Sequence, residues 1–185
     1  DTNTRKKYRE KLKWGKHDFG VGYISRMASH KGHLLFLQTI FELNKEGHNI
    51  KACLLGDGPE FDILKKFVEI NGLSNIVSLS GKVINVENYL QAFDAVALLS
   101  EHEGMPNALL EGMAAGKAVI ATPVGGVAEI LNFGDAGILV DPELEAVVNG
   151  IRTLIEEPEV RRKYEKNARK QIEKTYSFVK TFFNL

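Results

Sequence analysis

"AVALLSEHEGMPNALLEGMAAGKAVIATPVGG", residues 95–126, sets two short apolar runs, 95–100 and 118–123, on either side of a segment that opens at Pro106 and closes at Gly116. Runs with no polar residue at alternate positions suit strands buried on both faces. Proline at a helix start and glycine just past its end mark the segment between them as a helix. Strand, helix and strand in this order form a parallel crossover unit, which is right-handed. Two of its three carboxylates, Glu103 and Glu111, stand eight residues apart on either side of a Gly-Met-Pro-Asn turn, in a stretch rich in apolar residues and glycine. A buried carboxylate is costly unless something hydrogen-bonds it.

The same alternation extends to both sides. Strands are expected over 19–25, 50–56, 76–81, 95–100, 118–123 and 137–140, and helices over 33–45, 59–71, 86–92, 106–115, 127–132, 142–156 and 159–175. Pro59, Pro106 and Pro142 begin helices, and Gly47, Gly72 and Gly116 end them. The expected fold class is α/β: a Rossmann-like, doubly wound, six-stranded parallel sheet with helices on both faces. A single domain is expected over 1–185, with a lead-in helix over 1–16, the core over 17–157, and a C-terminal helix and tail over 158–185.

Bulk properties agree. A chain of 185 residues with 44% hydrophobic content can bury one good core. It has no apolar run of 18 residues, and "DTNTRKKYREKLKWGK" has neither the apolar centre nor the cleavage site of a signal peptide. The single cysteine, Cys53 in "IKACLLG", reads as a buried thiol. A soluble protein of the reducing cytoplasm is the expectation, with a peripheral position at the inner face of a membrane as its variant. Net charge is zero, yet residues 1–16 hold seven Lys/Arg and two acids, and residues 159–180 hold eight and three. Each end is therefore +5 and the remainder −10. Such basic ends suit an anionic membrane surface as a partner, or, more simply, the solvated faces of terminal helices. Nucleic acid is excluded as a partner, because no aromatic residues interleave with the basic ones.

Ligands of open parallel sheets sit beyond the carboxyl ends of the strands, which selects the loops "SRMASHKG", "GDGPE", "GKVIN", "EHEGMPN" and "PVGG". Arg26 and Lys31 in the first can grip a diphosphate, Arg as a fork and Lys as a point charge, or face solvent. This loop is not a dinucleotide fingerprint, since "GVGYIS" puts its glycines inside the strand. "GDGPE" is a tight turn, or a place where glycines permit close backbone approach. "GKVIN" offers backbone groups to a nucleobase edge. Glu103 lies in the fourth loop, and Pro106 opens a helix whose free N–H groups attract phosphate. Glu111 leans back toward that helix start, where paired ligand hydroxyls would satisfy it for about 1.5–3 kcal/mol. The five histidines lack metal-ligand spacing with cysteine or carboxylate, there is no Asp-x-Asp, and no Ser/His/Asp arrangement stands out. His102 beside Glu103 reads as a surface histidine or a lining of the crevice.

In this order of segments, "GYISRMASHKG", "LLGDGPE", "VSLSGKV", "YLQAFDAVALLSEHEGMPNALLEGMAAGKAVIATPVGGVAEIL" and "GDAGILVDP", the chain resembles the C-terminal, donor-binding half of the retaining GT-B glycosyltransferases of family 4, the group 1 glycosyl transferases. The resemblance covers nearly the whole chain. It implies transfer of a hexose-type sugar from a nucleoside diphosphate donor (UDP-, GDP- or ADP-sugar) to a hydroxyl acceptor, in glycan, polysaccharide or glycolipid synthesis, without a metal or other cofactor. It implies that Arg26 and Lys31 neutralise the donor diphosphate, and that Glu103 binds the transferred sugar. Gly104, Met105, Pro106 and Asn107 would hold sugar and phosphate, with Leu109 among the donor contacts. Glu111 would take the ribose and Lys82 and Val83 the base. Glu103, Arg26 and Lys31 are the implied catalytic residues. The family's N-terminal acceptor-binding half has no counterpart here, so a fragment of a longer enzyme is expected, and Tyr176, Phe178, Phe182 and Phe183 would partly face that half. Two other readings of the fold are a non-catalytic nucleotide-sugar-binding module and a sugar-nucleotide 2-epimerase. Intact Arg26, Lys31, Glu103 and Glu111 argue against the first, and the Gly-Met-Pro-Asn turn between the carboxylates fits transfer better than epimerisation.

Overall fold

The apolar runs become strands because each must shed both faces into a core, and a computed structural model describing residues 1–175 arranges them in one sheet. In chain order the elements are α1 (Thr2–Lys11), β1 (Phe19–Ile24), α2 (His33–Lys45), β2 (Ile50–Leu55), α3 (Phe61–Ile70), β3 (Val77–Leu79), α4 (Val86–Ala92), β4 (Ala95–Leu98), α5 (Asn107–Ala114), β5 (Ala118–Ala121), α6 (Val127–Ile130), β6 (Ile138–Leu139), α7 (Leu144–Glu156) and α8 (Pro158–Thr175). The six strands are parallel, in the order β3-β2-β1-β4-β5-β6. This is the expected Rossmann-like α/β sheet.

Two apolar clusters cover its faces. Phe36, Leu37 and Ile40 of α2, Leu64 of α3 and Ile151 of α7 pack on one side. Leu90 of α4, Leu109 and Met113 of α5, Ile130 of α6 and Ile172 of α8 pack on the other, with Trp14 from the segment after α1. The glycines of "GVGYIS" serve this second cluster. A Cβ at Gly20 would lie 2.3 Å from the Trp14 ring, and one at Gly22 would lie 2.2 Å from the Phe93 ring. They stand in the strand so that two aromatic rings can lie flat against it. Cys53 is fully buried, and burial pushes its thiol up to about 11.

Element ends differ from expectation where local chemistry intervenes. β4 and β5 stop at Leu98 and Ala121, which releases Leu99, Ser100, Thr122 and Pro123 into the loops. The helix expected over 127–132 ends at Ile130, because Asn132 and Phe133 take left-handed backbone (φ 48° and 53°). Pro59 and Pro142 lie two residues ahead of the first helical residue and Pro106 one ahead, so none is itself the first residue of a helix. Gly47, Gly72 and Gly116 close their helices with positive φ, as expected. Tyr176, Phe178, Phe182 and Phe183 lie outside the described residues.

The basic N-terminal end is not simply a solvated face. Arg5 donates to the carbonyls of Gln91, Ala92 and Phe93 at 3.0–3.2 Å and to Asp94 at 2.7 Å. Arg9, only 6% exposed, donates to the carbonyls of Ala92 (3.0 Å), Gly15 (2.6 Å) and Asp18 (2.7 Å) and to Asp94 (3.3 Å). Two of the seven cations therefore satisfy the orphan carbonyls at the end of α4. Arg161 and Arg169 of α8 do likewise for the carbonyls of Leu154 and Ala114. Arg9→Met is expected to lower the unfolding free energy by about 3 kcal/mol, since it takes the donor from the Gly15 and Asp18 carbonyls and one of three donors from Asp94, whereas exposed Lys7→Met changes it by less than about 0.5 kcal/mol. Urea titration followed by circular dichroism distinguishes the two.

Candidate donor-binding site

The chain runs outward from β1 to β3, then returns to place β4 beside β1, so the carboxyl ends of β1 and β4 flank the point where the strand order reverses. The loop after β1 forms a short 3-10 turn, Ser29–Lys31, closed by Gly32 in left-handed backbone (φ 68°). A Cβ at Gly32 would sit 2.0 Å from the Leu99 carbonyl oxygen. Only glycine lets this loop press against the end of β4. Tyr23, fully buried in β1, ties the same two loops, accepting from the Leu99 N–H at 2.8 Å and donating to the Lys31 carbonyl. Burial pushes its phenol well up, which keeps the hydroxyl neutral. Behind the loop, His33 bonds Ser25 Oγ through Nε2 at 2.9 Å, and burial holds its imidazole down at about 4.

These ties bring together three of the candidate residues. Lys31 Nζ donates to Glu103 Oε1 at 2.8 Å, and Ser100 Oγ donates to the same oxygen at 2.6 Å. The Glu103 side chain is 7% exposed and that of Lys31 19%. Arg26, whose side chain is exposed, lines a cavity of about 260 Å³ with Lys31, Glu103, Met105, Pro106, Asn107 and Ala108. Gly104 stands at the loop apex with nothing within 4 Å of where a Cβ would be. The helix start is less open than expected. The N–H groups of Asn107, Leu109 and Leu110 already donate to the carbonyls of Met105 and Pro106 at 2.9–3.1 Å, which leaves that of Ala108 facing outward. Leu109 is fully buried in the core, so its side chain cannot line the cavity.

Glu111 does not share the cavity of Glu103. It lines a second hollow of about 230 Å³ bounded by α4, α5 and the start of α1, with Glu87, Asn88, Gln91, Asp1 and Thr4. On α5, residue 111 follows 107 and 108 by four and three positions, so the two hollows lie along one helix face, a turn apart. Among the described residues no protein group donates to the Glu111 carboxylate. Burial, and then the nearby charge of Glu87, raise its pKa above the ordinary carboxylate value. The half-buried carboxylate thus faces the hollow without a protein donor among the described residues. Lys82 is exposed and Val83 half-buried in the loop that leads into α4. The "GDGPE" glycines meet protein backbone: a Cβ at Gly56 would lie 1.9 Å from the Ser25 carbonyl oxygen.

Ser100, Thr122 and Tyr23 were not singled out by sequence reasoning. Each reads as an ordinary strand residue; the three-dimensional pairing of β1, β4 and β5 gives the Tyr23 and Thr122 hydroxyls their partners, and the fold of the loop after β4 gives Ser100 its own.

The family model described as "Glycosyl transferases group 1" matches residues 4–171. N-acetyl-alpha-D-glucosaminyl L-malate synthase of Bacillus anthracis is 35% identical over 123 residues, which is 66% of this chain and 32% of that protein. Among solved structures, Anabaena Alr3699/HepE in complex with UDP and glucose superposes with a TM-score of 0.85 at 26% identity, covering all of this chain and 53% of that one. The C-terminal domain of the group 1 family protein LpcC from Francisella tularensis superposes with a TM-score of 0.84 at 26% identity, covering 95% and 94%. The chain spans less than half the length of the curated relatives it matches.

The raised pKa of Glu111 gives a stability signature. A carboxyl whose folded pKa exceeds its unfolded one favours the fold at low pH and loses that contribution as pH rises past 4.5 through the folded value. Glu111→Gln is therefore expected to melt above the wild-type chain at pH 7, and the difference should vanish below pH 4.5. Scanning calorimetry at the two pH values reads it; a lower Tm for Glu111→Gln at pH 7 contradicts the burial argument.

Proposed function

The chain belongs to the group 1 glycosyl transferases, and from that membership we propose that it is the donor-binding domain of a retaining, metal-independent enzyme that moves a hexose-type sugar from a nucleoside diphosphate to a hydroxyl acceptor. The observation that carries the proposal is the meeting of Arg26, Lys31 and Glu103 around one cavity at the strand-order reversal, with Glu111 a turn further along the same face of α5. A donor laid along that face would place its diphosphate against Arg26, Lys31 and the Ala108 amide, its sugar by Glu103 and its ribose by Glu111. The base would then lie toward Lys82 and Val83. UDP is the first nucleotide to try, because HepE was solved with UDP and with UDP-glucose.

Arg26 and Lys31 would stabilise the charge that grows on the departing diphosphate as the glycosidic bond breaks, the largest contribution such a site can make. Glu103 would hold sugar hydroxyls through Oε2, since both protein hydrogen bonds end on Oε1. An acceptor-binding N-terminal half, as in the family's two-domain fold, would complete the cleft, in glycan, polysaccharide or glycolipid synthesis. A role for an anionic membrane is weakened by the inward turn of Arg5 and Arg9, though no described helix is long and apolar enough to span a bilayer itself.

Calorimetric titration with UDP, GDP and ADP and their glucose esters tests this reading. Arg26→Ala and Glu111→Ala are each expected to weaken the nucleotide that binds by about 10–100-fold, the equivalent of a charged-group hydrogen bond worth about 1.5–3 kcal/mol. Binding indifferent to both substitutions sinks the site assignment. The 185 residues alone are expected to transfer sugar poorly or not at all, and robust turnover by them would contradict the need for a second half.

A further inference from the structure

Ser100 lies just past the end of β4, fully buried, with its hydroxyl on the carboxylate of Glu103 at 2.6 Å. Its own carbonyl accepts the hydroxyl of Thr122 at 2.6 Å, and Thr122, also fully buried, follows β5 directly. The Thr122 N–H in turn donates to the Leu98 carbonyl at 3.0 Å. Ser100 is therefore fixed between two strand ends before its hydroxyl reaches into the loop. Glu103 has three rotatable side-chain bonds, and next to it a Cβ added at Gly104 would meet nothing within 4 Å. Two groups hold it, Lys31 and Ser100, both on Oε1.

These two holds are unequal. Lys31 is a point charge on a four-carbon stem, and it lines the cavity that Arg26 shares. A diphosphate entering that cavity competes with Glu103 for the ammonium, because both are anions and the diphosphate carries more charge. Once Lys31 turns to the phosphate, the Ser100 hydroxyl is the hold that remains. We propose that Ser100 is a positioning residue, which keeps Glu103 aimed at the transferred sugar when the donor diphosphate draws Lys31 away. The inference rests on the donor-site reading given above and adds to it a residue that touches neither phosphate nor sugar.

The test measures, for each variant, the ratio of affinity for a nucleoside diphosphate glucose to affinity for the bare nucleoside diphosphate. UDP-glucose and UDP are used first, then the guanosine and adenosine pairs, on the full 185-residue chain by calorimetry. Ser100→Ala is expected to bind the bare nucleotide within about twofold of wild type while the ratio falls about tenfold, the size of one hydrogen bond to a charged group. Glu103→Gln should lower the ratio at least as far. A Ser100→Ala ratio that stays at the wild-type value while Glu103→Gln lowers it overturns the inference and leaves the donor site standing. Equal weakening of both ligands by Ser100→Ala, with a lower Tm, makes Ser100 merely structural and also overturns it. A ratio unmoved by either variant removes Glu103 from the sugar, and with it the basis of the proposal; no binding of any of the six compounds by the wild-type chain removes both readings.

Discussion

Asp94 pins the register on which the rest of the molecule depends. Its N–H donates to the Gly20 carbonyl at 2.7 Å and its Oδ2 accepts from the Gly20 N–H at 2.8 Å, so one residue satisfies both backbone groups at the start of the β1–β4 pairing. Arg5 and Arg9 hold the same carboxylate from α1. At the other end of the pair, the Tyr23 hydroxyl bridges Leu99 and Lys31. A slip of one residue would turn every side chain of β1 to the opposite face. It would also carry the loop bearing Lys31 away from the loop bearing Glu103.

Charge at the ends of the chain serves the same pairing. Around Asp94 gather Arg5, Arg9 and, further off, Lys117, whose ammonium burial pushes down to about 8, with Arg5's charge adding to the effect. Three cations near one carboxylate are tolerable only because the carbonyls of Ala92, Gly15, Asp18 and Gln91 share them. Removing the carboxylate would leave buried positive charge uncompensated, whereas removing an exposed lysine from α1 disturbs little. Two of the seven cations that look like a basic patch at the start of the sequence are thus internal wiring of the fold.

The fold was largely legible because parallel strands buried on both faces leave continuous apolar runs, and among the described residues all six strands and all eight α-helices, the lead-in helix included, fall within a few residues of where the sequence puts them. Boundaries were less legible. Nothing in "AVALLS" distinguishes Leu98 from Ser100 until pairing with β5 ends at Ala121. Arg26, Lys31 and Glu103 could be read from the loops that the sheet topology selects. The separation of Glu111 into its own hollow could not, because it depends on how α1 and α4 come to lie beside α5. The roles of Tyr23 and Thr122 were hidden for a related reason: a hydroxyl carries no sign of its partner when that partner is 76 or 22 residues away.

Within the proposed site, the Lys31–Glu103 pair reconciles two demands that conflict in a static picture. Two cations facing an empty cavity would repel each other, and a largely buried carboxylate with no partner would be expensive. Paired, each offsets the other's burial while the donor is absent, and the free cavity carries one net positive charge from Arg26, Lys31 and Glu103. A diphosphate breaks the pair only by offering Lys31 more charge than Glu103 does, so binding is coupled to release of the carboxylate toward the sugar. The cost of breaking the pair is drawn from the diphosphate, which leaves bare nucleotide held less tightly than two free cations would hold it. If Lys31 turns to the phosphate only as charge grows on the departing group, a site built this way would favour the transition state over the ground state.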